Sequence, residues 1–449
     1  MPYIPHTDAD RAAMLAAIGV PSVAALFEDV PAEHRFPTLN LPPAASEMEI
    51  LDELQALASK NQTTGRLATF LGAGAYNHFV PSVIDSLAGR GEFATSYTPY
   101  QPEVSQGTLQ AMFEYQSMVA RLTGMDVVNA SHYDGATAMA EAAIMALNVA
   151  RGNRRKILVL PSVHPQYRQT LRTYLPPAAG VAEVVGDEDL SAGLAEVAAR
   201  LDESTAALIV QHPDFFGQLL PLDGLADRVH AAGALLIVVA NPAISLGLLR
   251  PPGDYGADIV VAEGQPFGVG LNCGGPYLGI FATRAEYVRR MPGRLVGETT
   301  DAEGRRGYVL TLSTREQHIR REKATSNICT NQGLIALRAA IYLAYMGRQG
   351  LRAVAEQCYH KAHYAAAAIG KLERYRVITD APFFNEFRVR CPRPVRAINQ
   401  ALLEKGILGG YDLEADYPWA HHEMLVCVTE INSRQQIDGL VAALEEVGR

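Results

Sequence analysis

Cysteine and lysine are scarce in this sequence, and long runs of like charge are missing from it. The five cysteines are odd in number, lie far apart and form no C-x-x-C pair, which argues against a disulfide framework and against a cysteine zinc site. The net charge of −9 is spread along the chain, so neither a nucleic-acid stripe nor a polybasic membrane patch is supported. We therefore expect small molecules or proteins as partners.

Segments for export or membrane insertion are also lacking. The N-terminus has no basic and apolar signal sequence, so we expect a cytoplasmic protein with reduced thiols. The most hydrophobic helix, about residues 328–346, contains Asn331, Gln332 and Arg338, and is interpreted as a buried helix between domains rather than a membrane span. With 449 residues and 48% hydrophobic content, the chain has room for two or three domains with a sizeable core.

The stretch 70–106 is unusually rich in side chains that form hydrogen bonds. It places tyrosine, histidine, glutamine and threonine side chains on a run that glycine and proline interrupt repeatedly, so it cannot be one regular element. Many hydrogen-bonding side chains on a long loop are typical of a binding surface. We therefore predict the functional region here.

Helix signals frame this stretch. Thr7 caps a first helix that stops at Gly19, a second short helix runs from Ser22 to about Pro31, and Ser46 with Glu49 forms the capping box of a third, to about Ser59. After the stretch, apolar residues at helical spacing predict a core helix over about 107–123.

From Met125 onward, strands alternate with helices. Strands are predicted at 126–129, 156–160, 181–185, 206–211, 234–240 and 257–262, with a closing antiparallel strand at 276–282. This predicts a mainly parallel seven-stranded sheet covered on both faces. Strands at 375–379, 385–390 and 424–429 predict a smaller α/β domain. The expected division is a helical segment at 1–60, a large domain at 61–346 and a small domain at 347–449.

The turn Gly135-Ala136-Thr137 follows the first strand and opens a long alanine-rich helix. A helix N-terminus with exposed N–H groups suits an anion such as phosphate, although such a turn is more often only a helix start. Gly72-Ala73-Gly74 is interpreted as a turn, because the third glycine of a dinucleotide motif is missing. The whole pattern resembles the aminotransferase-like fold of pyridoxal-phosphate enzymes, fold type I.

That resemblance implies two reactive groups that the sequence does not supply. The end of the central strand reads Val238-Val239-Ala240-Asn241, without the acid that would contact the pyridine nitrogen. After the next strand, at residues 263–267, there is no lysine for a Schiff base. The six lysines stand elsewhere, at Lys60, Lys156, Lys323, Lys361, Lys371 and Lys405. We therefore expect a chain that forms no covalent link to the cofactor.

Longer motifs identify a family. YIPHT from Tyr3, FLGAGAYNH from Phe70, EFATSYTPYQPEVSQGTLQ from Glu92, YDGAT from Tyr133, EGQPFG from Glu263 and IRREKATSNICTNQ from Ile319 resemble the glycine cleavage system P-protein, in the alpha-subunit type of the two-subunit bacterial form. The resemblance implies a beta subunit that holds pyridoxal phosphate, an α2β2 assembly, and decarboxylation of glycine with transfer of the aminomethyl group to the lipoyl arm of H-protein.

Two residue sets are candidates for completing the partner's site. The loop contributes Tyr97, Thr98, Tyr100, Gln101 and Glu103; the second cluster, whose cationic and hydroxyl groups suit a phosphate or carboxylate, contains Arg320, Arg321, Lys323, Thr325, Ser326 and Asn327. Gly135, Ala136 and Thr137 would be a vestigial phosphate turn. For Arg320 and Arg321, a solvated face or an intersubunit ion pair is an equally good interpretation.

An alternative function of the chain and an alternative role for some of its histidines remain open at this point. The chain could be a structural scaffold that stabilises the beta subunit and docks H-protein. The histidines after strand ends, His132, His164 and His212, could line a vestigial pocket, whereas His360, His363, His421 and His422 lack a third ligand by spacing and are not predicted to bind metal.

Overall fold

The computed structural model describes residues 5–94, 98–150, 154–176, 180, 182–324, 326–378 and 381–448. The chain forms two compact units, residues 1–62 and residues 63–449. Two of the predicted candidate residues, Tyr97 and Thr325, lie outside the described residues.

The first unit is helical, as predicted. It contains α1 (Asp8–Ile18) and α2 (Glu47–Ala58), each started by a capping box, Thr7 with Asp10 and Ser46 with Glu49. Gly19 ends α1 in the left-handed conformation at φ 83°, which glycine adopts without strain. The predicted short helix from Ser22 is a 3-10 helix at Val23–Phe27 that Ser22 caps, and it ends before the predicted boundary near Pro31.

The second unit holds the remaining regular elements. Its helices are α3 (Ser82–Ala88), α4 (Gly91–Ala94), α5 (Gln106–Thr123), α6 (Gly135–Val149), α7 (Pro165–Tyr174), α8 (Leu194–Ala198), α9 (Leu225–Ala231), α10 (Gln317–Arg320), α11 (Gly333–Ile369), α12 (Val395–Glu404) and α13 (Arg434–Val447). Its strands are β1 (Ala68–Thr69), β2 (Val127–Val128), β3 (Lys156–Val159), β4 (Glu183–Val185), β5 (Thr205–Gln211), β6 (Leu235–Val239), β7 (Ile259–Glu263), β8 (Gly279–Thr283), β9 (Leu295–Thr300), β10 (Arg306–Thr311), β11 (Arg376–Ile378), β12 (Glu386–Arg390), β13 (Ile407–Leu408), β14 (Tyr411–Asp412) and β15 (Glu423–Cys427).

Seven of the described strands form the main sheet, in the order β2-β8-β7-β6-β5-β3-β4. The pairs among β4, β3, β5, β6 and β7 are parallel, and β8 runs antiparallel between β2 and β7. Every residue of β5, β6 and β7 is buried, as expected for apolar strands with helices on both faces. The predicted mainly parallel sheet and its antiparallel closing strand are confirmed.

A hairpin of β9 and β10 was not predicted. Its residues are largely half-buried or exposed, so the sequence lacks the clean alternation that marks a strand. The hairpin holds the start of α5, because Gln106 donates to the Tyr308 carbonyl at 2.8 Å and accepts from the Tyr308 N–H at 2.9 Å. It therefore positions the end of the 70–106 stretch.

The C-terminal part has its own sheet, β11-β12-β15-β14, with antiparallel pairs and a separate apolar core that includes Phe387, Ile398 and Val426. The helix α11 that leads to it breaks at Gly347, where φ is 59° and ψ is −175°. The sequence predicts one helix that ends near Met346 and a second over residues 351–374, and in the structure the two are joined as α11 across this break. In the described part of the chain, every helix is too short or too polar to cross a membrane.

Candidate active site

The turn before α6 is already occupied by the chain's own side chains. Asp134 caps the helix, and its Oδ1 accepts from the Thr137 N–H at 2.8 Å. The Gly135 N–H donates to Oε2 of Glu263 at 3.0 Å. Two of the N–H groups that would receive an anion therefore already have carboxyl partners.

Glu263 is held firmly at the end of β7. Its Oε1 accepts from the N–H groups of Gln265 at 3.0 Å and Leu278 at 2.9 Å. The side chain is buried, and burial raises the pKa of Glu263 to about 8 despite the N–H donors, which act in the opposite direction. This carboxyl group lies directly at the N-terminus of α6, where its Oε2 accepts from Gly135.

The packing around Gly135 leaves no space for a side chain at that position. A Cβ atom added at Gly135 would lie 2.2 Å from the hydroxyl of Tyr167 and 3.1 Å from the backbone nitrogen of Glu263. Tyr167 is itself buried. Because the N–H groups of Gly135 and Thr137 already donate to carboxyl groups, the residues at this turn do not fit the phosphate of pyridoxal phosphate.

The two strand ends carry buried amides at the positions that lack an acid and a lysine. Gln265 is fully buried and accepts from the Tyr76 N–H at 3.0 Å while donating to the Tyr76 carbonyl at 2.9 Å and the Val269 carbonyl at 2.8 Å. Asn241 is buried at the end of β6. Gln265 thus ties the 70–106 stretch to the sheet, at the place where the family resemblance implies the lysine.

Two cavities flank the turn. The Glu141 cavity, of about 520 Å³, is lined by side chains that include His132, Tyr133, Thr137, Glu141, Glu322, Ser326 and Asn327. The Glu263 cavity, of about 450 Å³, shares Tyr133 and Thr137 and is also lined by Asp134, His164, Tyr167 and Glu263. None of the six lysines, all of which are described, lines either cavity.

The loop of the first candidate set lies at the surface. Tyr100 is 53% exposed, Gln101 and Glu103 are exposed, and Thr98 is half-buried. The Tyr100 hydroxyl accepts from Nη2 of Arg294 at 3.3 Å, and its ring lies 5.6 Å from the His318 ring. Tyr100 therefore has a defined anchor although its ring faces solvent.

Arg294 connects that loop to the segment of the second candidate set. It is buried and donates to the Asn331 side chain at 2.9 Å and to the Cys329 carbonyl at 2.7 Å. Its Nε lies 3.6 Å from a carboxylate oxygen of Glu316. One guanidinium group thus bridges Tyr100 and residues 316–331, an arrangement that sequence reasoning missed because Arg294 stands in neither motif.

The second cluster divides into two parts. Ser326 donates to Oε1 of Glu141 at 2.8 Å, and Ser326 and Asn327 line the Glu141 cavity together with Thr137. Arg320, Arg321 and Lys323 are exposed on short helical turns. The structure therefore brings Ser326 and Asn327 to the turn, but it leaves Arg320 and Lys323 at the surface.

Glu141 was also missed, although the sequence carries a signal for it. It is the one acidic residue of the alanine-rich helix α6, it is 6% exposed, and its Oε2 has no hydrogen-bond partner among the described residues. Burial raises the pKa of Glu141 to about 7. A lone acid within an apolar helix indicates a buried carboxyl group.

The histidines mostly have structural contacts. His164 accepts from the Gln166 N–H, and its Nε2 lies 2.8 Å from the Ala73 carbonyl; His212 accepts from the Leu220 N–H at 3.1 Å. His363 stacks on Phe383 with centroids 4.0 Å apart. Sequence spacing missed one group, His78 with Cys358 and Glu430, whose ligand atoms lie within 4.8 Å of one another. The 2.7 Å distance between His78 Nδ1 and Glu430 Oε2 is that of a hydrogen bond.

Comparison with known proteins gives matches over nearly the whole chain. The profile of the glycine cleavage system P-protein family matches residues 1–444. The probable glycine dehydrogenase (decarboxylating) subunit 1 of Thermomicrobium roseum is 57% identical over 449 residues, 99% of this chain and 99% of that protein. The protein of the same name in Desulforamulus reducens is 50% identical over 446 residues, again 99% of each.

Solved structures give the same result. A crystal structure of glycine decarboxylase (P-protein) of the glycine cleavage system, in inhibitor-bound form, matches with a TM-score of 0.89 at 43% identity and covers 100% of both chains. Sphingosine-1-phosphate lyase of Burkholderia pseudomallei matches with a TM-score of 0.64 at 16% identity over 93% of this chain and 94% of that one, which shows a common fold alone. The predicted aminotransferase-like fold is confirmed.

Proposed function

Because the chain belongs to the glycine cleavage system P-protein family, we propose that it is one subunit of a two-subunit glycine dehydrogenase (decarboxylating). The enzyme decarboxylates glycine and transfers the remaining aminomethyl group to the lipoyl arm of H-protein. The full-length match to relatives that are named as subunit 1 is the observation that carries this proposal. It favours an enzyme subunit over a silent scaffold.

We place pyridoxal phosphate on the second subunit. This chain's own residues do not fit it, since Glu263 and Asp134 take the N–H groups of the turn and Tyr167 fills the space beside Gly135. The position for a cofactor lysine is taken by Gln265, which is buried and hydrogen-bonded to Tyr76 and Val269. A chain with these contacts depends on a partner for the covalent chemistry.

The contribution of this chain lies at its surface. We assign Tyr97, Thr98, Tyr100, Gln101, Glu103 and Lys323 to the border of the second subunit's active site, with Arg320, Thr325, Ser326 and Asn327 as candidate contacts for a phosphate or carboxylate. The exposed ring of Tyr100, fixed from behind by the buried Arg294, supports this assignment. A fixed polar group at a surface is available to a partner without an ordering cost at assembly.

The assembly is proposed as an α2β2 heterotetramer that acts on lipoylated H-protein in the cytoplasm. Thiols without disulfide partners fit such a compartment: the cysteines at positions 273, 329, 358, 391 and 427 are all free. Neither nucleic acid nor a membrane is needed as a partner.

The decisive experiment is the exchange of the glycine carboxyl group with bicarbonate in the presence of H-protein. We would measure it for this chain alone, for the second subunit alone, and for the mixture. Exchange only in the mixture, with cofactor on the second subunit, would support the proposal. Full exchange by the second subunit alone would leave this chain a scaffold, and exchange by this chain alone would overturn the assignment of the cofactor.

A further inference from the structure

The lining of the Glu141 cavity is acidic. Glu141 and Glu322 both line it, whereas no lysine or arginine stands among its described lining residues. The adjoining Glu263 cavity contains two further acids, Asp134 and Glu263, and again no lysine or arginine among the described residues that line it. At pH 8, Glu141 with a pKa of about 7 is mostly ionised and Glu263 with a pKa of about 8 is about half ionised, so at that pH the lining disfavours phosphates and carboxylates.

The N–H donors that would counter this charge are already used. The N–H groups of Gly135 and Thr137 donate to Glu263 and Asp134 respectively. The positive end of α6 is thereby neutralised within the chain. These two N–H groups are therefore not available to an anion.

Two buried polar atoms at the Glu141 cavity remain without a partner among the described residues. One is Oε2 of Glu141, whose other oxygen accepts from Ser326 at 2.8 Å. The other is Nε2 of His132, whose side chain is completely buried. A buried polar atom without a partner is destabilising, so each of these atoms favours a ligand that supplies one.

The hydrogen-bonding character of the His132 atom follows from its neighbour. The amide nitrogen of Asn129 donates to the Pro292 carbonyl at 3.0 Å, which fixes it as a donor, and it lies 3.0 Å from Nδ1 of His132. Nδ1 therefore accepts, and Nε2 carries the hydrogen, because burial lowers the pKa of His132 to about 3 and keeps the ring neutral. The cavity thus presents one acceptor, on Glu141, and one donor, on His132.

We propose that the Glu141 cavity binds a small primary amine that also carries a neutral hydrogen-bond acceptor, such as an amino amide or an amino alcohol, and that it rejects carboxylates. The ammonium group contacts Glu141, and the acceptor takes the N–H of His132. The tyrosine rings at positions 133 and 174, which also line the cavity, suit an ammonium group because aromatic faces attract cations.

Ser326 and Asn327 line this cavity and are also candidate contacts in the assembled enzyme, but the present proposal concerns the ligand that this chain binds by itself. Glycine itself carries a carboxylate, which the acidic lining repels. The proposal therefore stands or falls independently of the exchange activity of the assembled enzyme.

Calorimetric titration of the purified full chain at pH 8 and 0.15 M salt would test it, with glycinamide as the probe. Glycinamide is expected to bind with a dissociation constant of about 1 mM, as suits a ligand of few atoms. Acetamide lacks the ammonium group and glycine adds a carboxylate, so both are expected to bind at least tenfold more weakly. Equal binding of acetamide or glycine, or no binding of glycinamide, would overturn the proposal.

Variants locate the binding. Glu141→Gln keeps the shape of the side chain and should weaken glycinamide binding tenfold or more, because a hydrogen bond to a charged group is lost. Glu203→Gln, an exposed acid elsewhere on the same unit, should leave binding unchanged and controls for attraction to the net negative charge. If Glu141→Gln fails to fold, Glu322→Gln at the exposed edge of the cavity decides instead, with a severalfold loss expected. Wild-type binding by the variant that decides would overturn the proposal.

Discussion

The turn before α6 and the loop around Tyr100 belong to the same unit of the protein, yet the polar groups of the turn are bonded within the chain and those of the loop are largely exposed. At the turn, the N–H groups of Gly135 and Thr137 are paired with buried or capping carboxyl groups of the chain itself. At the loop, Tyr100 is anchored by Arg294 but leaves more than half of its side chain exposed, and Gln101 and Glu103 are exposed beside it.

This difference separates stability from activity. Groups that are satisfied inside the chain contribute to folding, and their loss leaves buried donors unpaired. Groups held at the surface contribute little to folding and are available to a partner. Substitutions at the turn should therefore lower stability, and substitutions at the loop and at residues 316–331 should lower the activity of the assembled enzyme.

The largest effect is expected for Glu263→Ala. It removes the acceptor of three buried N–H groups, those of Gly135, Gln265 and Leu278, and should lower the free energy of unfolding by about 3 kcal/mol or more. Urea unfolding at pH 5 measures this loss. Glu263→Gln, which keeps an acceptor oxygen, should lose less, and Glu203→Ala at the surface should lose almost nothing. Equal stability of all three variants would show that the turn is not sealed by Glu263.

The second largest effect is expected in the way the free energy of unfolding depends on pH. The pKa of Glu263 is about 8 in the folded chain and 4.5 is its ordinary value, so the folded state holds the proton more tightly. The contribution of Glu263 to the free energy of unfolding is fully present below pH 4.5 and is lost as the pH rises through 8. Between pH 5 and pH 7 this loss is on the order of 2 kcal/mol. Urea unfolding of Glu263→Gln should fall less over this range than that of the wild type. Parallel curves would contradict the assignment.

Gly135→Ala tests the space at the turn. The new Cβ would meet the buried Tyr167 hydroxyl and the Glu263 nitrogen, so we expect a loss of about 1–2 kcal/mol in the free energy of unfolding. Gly107→Ala at the start of α5 is the matched control, since a Cβ there meets nothing within 4 Å. Thermal unfolding distinguishes them, and an unchanged midpoint for Gly135→Ala would show that the turn can open.

Lys323→Ala tests a residue at the surface of the protein. We expect the exchange rate of the assembled enzyme to fall about tenfold, because one charge-assisted hydrogen bond to an anionic group is lost, while the thermal midpoint stays unchanged. Lys405→Ala is the control: this lysine pairs with Glu446 on the surface of the C-terminal part. If both variants exchange at the wild-type rate, Lys323 does not border the active site.

Tyr100→Phe should have the smallest effect. It removes one neutral hydroxyl and should reduce exchange about threefold without changing the melting temperature. The exposed Tyr345→Phe on α11 should leave both quantities unchanged. A lower melting temperature with normal exchange would place Tyr100 among the structural contacts instead.

Much of the fold was predictable because its signals are local. The capping boxes of Thr7 with Asp10 and Ser46 with Glu49 span three residues, and the apolar runs of β5, β6 and β7 are continuous in the sequence. The β9–β10 hairpin escaped prediction because its residues are only partly buried and its partners lie on α5. The predicted helix end near Met346 lies beside the break of α11 at Gly347.

The candidate site was less predictable, because it depends on distant pairs. Glu263 belongs to a quoted motif, but its partner Gly135 is 128 residues away, and no spacing rule joins them. Arg294 lies 194 residues from Tyr100. The missing lysine could be inferred from the sequence, but the carboxyl group that fills the turn could not.

The sequence by itself determined the family, the alternation of strands and helices, and the absence of a lysine after β7. Each of these depends only on residues that are close together in the sequence. Only the tertiary structure decided that the N–H groups of the turn before α6 are bonded within the chain, that one oxygen of the buried Glu141 has no hydrogen-bond partner among the described residues, and that Arg294 fixes Tyr100 at the surface. The physical reason is that the charge and burial of a side chain depend on its tertiary contacts, and these contacts are formed by residues far apart in the sequence.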